Sequence, residues 1–140
     1  MNLHSERGSA SIEAVIIVPA VGLVIALLIL AGRITIADQT VHAAAAEAAR
    51  TATLARTPDD AHTRATQAAR DTLTSQNTTC AAIDLEVDTS EFSRPLGTPA
   101  SVTVTVTCQL PLSDLTLPGI GGIKTITATA SSPLDPYRGR

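Results

Sequence analysis

The sequence predicts an α+β fold: an N-terminal transmembrane helix extending into a long alanine-rich helix, a second helix, and then a small three-stranded antiparallel sheet. Three observations predict it. An uncharged apolar run occupies Ala14–Gly32, apolar residues then recur at helical spacing as far as Ala55, and beyond Ala81 the period changes to two. The chain has 140 residues and is 44% hydrophobic, yet Phe92 and Tyr137 are its only aromatic residues. Aromatic side chains normally supply much of a core's buried area, so the apolar content here is aliphatic and rich in alanine.

The first element is the run AVIIVPAVGLVIALLILAG, 19 residues without a charge. As a helix it spans about 28 Å at 1.5 Å per residue, close to the roughly 30 Å hydrocarbon core of a bilayer. Pro19 lies inside the run, where a membrane helix tolerates proline, usually with a kink. Three readings compete. A cleaved secretory signal would be cut near the small residues Ala43–Ala46, but its apolar region is normally shorter than this run. A plain signal anchor is the second. The third depends on the residues before the run, Arg7-Gly8-Ser9-Ala10-Ser11-Ile12-Glu13. A carboxylate abutting a membrane span is costly, which makes Glu13 a functional candidate. A glycine, a glutamate five residues on, and an uninterrupted apolar helix together form the layout of a prepilin-type signal.

With Pro19 added, Gly8 to Pro19 resembles the TadE-like family, pseudopilin components of tight-adherence (Flp) pilus assembly. Ser9 and Ala14 stand where an apolar residue and a phenylalanine are usual. The resemblance implies a pilin-like outline: leader peptide 1–8, transmembrane helix 9–32, extracytoplasmic helical region 33–75, and a β-rich region 76–140 packed on the helices. It implies a prepilin peptidase cutting between Gly8 and Ser9, and pilus or pseudopilin subunits as partners. Glu13 would then neutralise the new N-terminal ammonium of a neighbouring subunit, since opposite charges in low dielectric attract strongly. The alternative role for Glu13 is local, favouring the helix dipole, with Ser9 or Ser11 as N-cap. The implied location is the cytoplasmic (inner) membrane, single-pass with the N-terminus inside, and incorporation in a pilus is one outcome. An uncleaved, anchored accessory protein with an extracytoplasmic binding domain is the alternative.

After the run, Ile34, Ala37, Val41, Ala44, Ala48, Ala52 and Ala55 form a narrow seam of mainly small side chains on a helix over 33–56. That seam suits either close packing in a filament or cover for the protein's own sheet. Thr57-Pro58-Asp59-Asp60 reads as a helix restart, with threonine as N-cap, proline first and aspartates complementing the dipole. The second helix is expected to reach about Thr74, ending in Ser-Gln-Asn-Thr-Thr, in which Asn77 also fits a glycosylation sequon.

Ile83, Leu85 and Val87 then alternate with Asp84, Glu86 and Asp88. After an Arg94-Pro95-Leu96-Gly97 turn signal, Val102, Val104, Val106, Cys108 and Leu110 alternate with polar residues. Ile126, Ala128 and Ala130 alternate with Thr125, Thr127 and Thr129. Residues 111–122 read as a loop. Cys80 and Cys108 are the only cysteines. Beyond a membrane span an even pair points to a disulfide, with two buried thiols as the alternative. Cys108 has the apolar parity of its strand and Cys80 the polar parity of Asp84, so a bridge needs Cys80 on the loop before the strand.

Net charge is −3 with no basic block, so nucleic-acid binding by a basic stripe is not expected. His4, His42 and His62 form no ligand spacing, and the acidic residues of the first strand read as a solvated face rather than a metal site. With no nucleophile–base–orienter set in the sequence, the expectation is a protein without catalytic residues, cofactor, metal or small-molecule substrate, whose partners are the membrane and other proteins.

Overall fold

The computed structural model describes residues 9–113 and 121–137, with the side chains of 9–13 left aside. Two helices, the first long and apolar near the N-terminus, precede a three-stranded antiparallel sheet. The elements are α1 (Ser9–Ala52), α2 (Pro58–Ser75), β1 (Ala82–Asp88), a short 3-10 turn η1 (Ser90–Ser93), β2 (Ser101–Pro111) and β3 (Ile123–Pro133). The chain divides into two compact units between Ile34 and Thr35, and each is described by itself.

In the first unit α1 passes through Pro19 and carries Val15, Ile16, Leu23 and Leu28 exposed. The second unit holds one contiguous apolar core, drawn from α1, α2, η1 and the sheet. Among the described residues, eleven of its twenty buried apolar side chains are alanine, so the helices present a smooth, thin layer rather than interdigitating knobs. The buried face of α1 is broader than the seam read from the sequence. Ala45 and Ala49 are buried beside Ala44 and Ala48, and so is Thr40. The Thr40 hydroxyl donates to the Ile36 carbonyl one turn back (2.9 Å), which satisfies it without a partner from the core.

The helix expected over 33–56 closes at Ala52. There the backbone tightens, Leu54 N–H donating to Thr51 O (3.2 Å) and Ala55 N–H to Ala52 O (3.1 Å), which uses carbonyls the helix end would otherwise strand. α2 begins as its sequence dictates. Thr57 is extended (φ −128°, ψ 154°), its hydroxyl accepts from Asp60 N–H (3.2 Å), and Pro58 occupies the first turn. Asp60 pairs with Arg64 four residues on at 2.8 Å. The buried face is Ala61, Ala65, Ala69 and Leu73. At the far end Asn77 adopts φ 53°, its N–H donates to Thr74 O (3.0 Å), and Thr78 N–H reaches back to Leu73 O (3.0 Å). This is a Schellman closure, and asparagine is one of the few side chains that enters the left-handed region cheaply.

The sheet has order β1-β2-β3, so β2 is central. Its register assembles rows across the strands. Val87–Val104–Ala130, Leu85–Val106–Ala128 and Ile83–Cys108–Ile126 share one face; Asp88–Thr103–Ser131, Glu86–Thr105–Thr129 and Asp84–Thr107–Thr127 share the other. The apolar rows face the core most completely on β2, where Val102, Val104, Val106 and Cys108 are all buried. β3 starts at Ile123, two residues before the alternation noted in the sequence, because its ladder with β2 extends to the Pro111–Ile123 pair. Of the loop read at 111–122, Pro111 belongs to β2, and residues 114–120 lie outside the described residues. Between β1 and β2, η1 buries Phe92. Beyond η1, Gly97 (φ +83°) supplies the third position of a turn closed by Thr98 N–H to Pro95 O at 3.2 Å, a conformation that favours glycine.

Candidate functional site

The site residues predicted from the sequence fall in two places. Ser9, Glu13 and Pro19 all lie on α1, while Gly8 lies outside the described residues, as do the side chains of Ser9 and Glu13. Cys80 and Cys108 lie in the second unit. Gly8, Ser9 and Glu13 are thus near one another in sequence, just ahead of the apolar run.

From Ala14 on, α1 is long and apolar enough to cross a membrane, and the apolar window that qualifies it is entirely unburied. Soluble core helices that pass the same test of length and composition are mostly buried, whereas here Val15 is 70% and Leu28 67% exposed. Contiguous apolar surface on this scale marks an interaction with lipid or protein. The run follows directly on the segment that holds Gly8 and Glu13, and it contains Pro19. Residues 8–50 match the family model of TadE-like proteins. The TadE-like segment begins at the glycine and ends two residues before the end of α1, so it takes in the apolar run and most of the alanine face. α2 and the sheet lie beyond it. Comparison with curated proteins and with solved structures finds no match.

The second place is the disulfide. Cys80 and Cys108 are joined, with Cα atoms 5.4 Å apart, well within the range a bridge requires. Cys80 sits ahead of β1, on the connection leaving α2, which resolves the parity conflict seen in the sequence. Ala81 N–H then donates to Gln109 O at 2.7 Å and opens the β1–β2 ladder. The bridge closes a loop of 28 residues, which by the chain-entropy model contributes about 3–4 kcal/mol.

The outer face of the sheet is polar. Thr105 and Thr129 hydroxyls lie 3.0 Å apart, Thr107 and Thr127 3.2 Å, cross-strand pairs that order the face. Asp84, Glu86 and Asp88 are exposed along the β1 edge. Ser90 holds the Asp88 carboxyl below the ordinary carboxylate value, first through its side chain and then through its backbone N–H, which donates to Oδ1 at 3.0 Å. Among the described residues no group of histidine, cysteine and carboxylate side chains is arranged to hold a metal. His42 is exposed beside Asp38 (3.9 Å), and His62 is exposed on α2.

One network has no clear signal in the sequence. Glu91 accepts from Ser101 N–H (2.6 Å) and pairs with Arg94 (2.8 Å), which in turn donates to Pro99 O at 3.1 Å. It ties the connection after η1 to the start of β2 and lines a shallow depression with Leu96, Leu134 and Pro136. Its charges are mutually paired, so its role is to hold the connection in place. Only the tertiary approach of Ser101 to Glu91, ten residues apart, brings it together.

Proposed function

We propose that this protein is a membrane-anchored component of tight-adherence pilus assembly, a TadE-like pseudopilin or minor subunit that acts by helix packing and catalyses no reaction. The observation that carries the reading is the TadE-like match over 8–50, which begins at Gly8 and includes Glu13, Pro19 and the whole exposed apolar run. In this reading the apolar half of α1 is held in the cytoplasmic membrane, and a prepilin peptidase removes residues 1–8. The mature chain keeps its apolar helix and starts at Ser9. Glu13, then the fifth residue, neutralises the terminal ammonium of an adjacent subunit, because two opposite charges at the edge of hydrocarbon are costly apart and stable together.

The disulfide supports the orientation. Disulfides form and persist in oxidising compartments, so the unit that carries Cys80–Cys108 is assigned to the extracytoplasmic side, with the N-terminus inside. No protein partner beyond peptidase and pilus subunits is needed by this reading, nor any nucleic acid, cofactor or small-molecule substrate.

N-terminal sequencing of the membrane-extracted protein tests it. A chain starting at Ser9 is expected. A chain that retains Met1 is the uncleaved accessory protein, and one starting near Ala44 has lost the anchor and refutes the reading. In the same strain Glu13→Ala should leave the protein in the membrane and reduce pilus formation. Unchanged pili would remove the assembly role from Glu13.

A further inference from the structure

The disulfide joins two sulfurs in different surroundings, at the least anchored strand of the sheet. Cys108 is fully buried on the central strand, whereas Cys80 is only partly buried on the connection between α2 and β1. β1 is an edge strand, and none of its seven residues is buried; Leu85 and Val87 are partly covered and the other five exposed. The opposite edge strand, β3, buries Ile126 and Ala128. β1 is therefore held by its ladder to β2, by two half-covered side chains, and by the covalent bond that enters just ahead of it. Loss of that bond removes the constraint closest to the strand. Opening it would bare the second edge of β2, whose Val-Thr alternation at 102–107 has the high β-propensity and lack of charge that favour unwanted pairing.

We propose that Cys80 is the sulfur through which this bond exchanges with a thiol–disulfide oxidoreductase, and that closing the bond is the maturation step that fixes β1 on the sheet. Exchange requires a thiolate to reach one sulfur of the disulfide, and the partly exposed Cys80 is the more accessible of the two. In the closing direction the Cys80 thiolate attacks the donor's disulfide, a donor sulfur leaves as thiolate, and a mixed disulfide remains on Cys80. The Cys108 thiolate then attacks the Cys80 sulfur and expels the donor's second thiolate. Two protons leave the two cysteines, and two electrons end on the donor's cysteine pair, which becomes a dithiol. Opening runs the same steps in reverse. This inference stands apart from the pilus reading, since it needs only the second unit and an oxidising compartment.

The test uses the full wild-type chain in detergent micelles with limiting reduced glutathione, acid quenching and peptide mapping. Glutathione is expected on Cys80, at least roughly tenfold over Cys108. Glutathione on Cys108, or equally on both, overturns the assignment. Hydrogen exchange of the oxidised and reduced chain tests the second half of the proposal. Amides of Ala82–Asp88 should exchange on the order of 100-fold faster after reduction, and those of Thr127–Ala130 in β3 by a clearly smaller factor. Equal acceleration of both strands, or an unchanged β1, overturns it.

Discussion

A single helix, α1, puts its apolar side chains to two opposite uses. In its first part the large aliphatics are outside: Ile16 is 66% and Leu28 67% exposed. From Thr35 on the small ones are inside, with Ala44, Ala48 and Val41 at 0%. In water this order is inverted, because large aliphatic side chains gain most from burial and alanine gains least. The difference teaches that hydrophobicity along α1 does not map onto burial. Side-chain size separates the two parts: bulk where lipid is the proposed solvent, and minimal bulk where the helix joins the core it shares with α2 and the sheet.

The largest expected effect breaks the first part. Leu23→Arg puts a charge near the centre of the apolar run, at about 2.5–3.5 kcal/mol on the insertion scale. The fraction of chain resisting alkaline carbonate extraction should fall accordingly, while urea unfolding of the second unit stays as in wild type. Ala48→Leu breaks the second part. Three extra carbons at a site with no free surface should cost about 1–3 kcal/mol in urea unfolding. The matched change Ala20→Leu, in the exposed run, should leave the unfolding midpoint of the second unit unmoved. Equal costs at the two sites would erase the distinction.

Much of this was legible in the sequence because the decisive signals are local. The uncharged run, the Thr57-Pro58 restart and the period-two strands each depend on neighbouring residues, and so does the Gly8–Glu13–Pro19 spacing. The broader face of α1 was less legible, since Ala45 and Ala49 lie beside the 3-4 seam and alanine carries too weak a hydrophobic signal to mark which side is buried. β3's early start and the Glu91–Ser101 contact depend on β2 register and on tertiary approach, which no local pattern encodes. Phe92 was visible as one of two aromatic residues, but its burial in η1 follows from the path of the chain after β1.

Two smaller effects sharpen the account of the second unit. Thr57→Ala removes the cap of α2 and should destabilise by about 1 kcal/mol in the same urea assay. The smallest effect is at Asp88. Its carboxyl is held low in the folded state, so the contribution is present above the ordinary carboxylate value and is lost as pH falls through the lower folded value. An NMR titration should show Asp88 below the ordinary range in wild type, and shifted up toward it in Ser90→Ala, where the hydroxyl is gone.

The lipid setting proposed for the first half of α1 is tested most directly by two reporters, one inside the apolar run and one in the turn just beyond the helix. The chain has no tryptophan, so Leu28→Trp and Leu54→Trp each introduce a single one. The native leucines are almost equally exposed, at 67% and 71%, so exposure within the protein does not separate them. With the full chain reconstituted in bilayers of brominated lipid, fluorescence at position 28 should be strongly quenched and fluorescence at 54 left intact. Equal quenching at the two positions, or none at 28, would contradict a lipid-embedded first half.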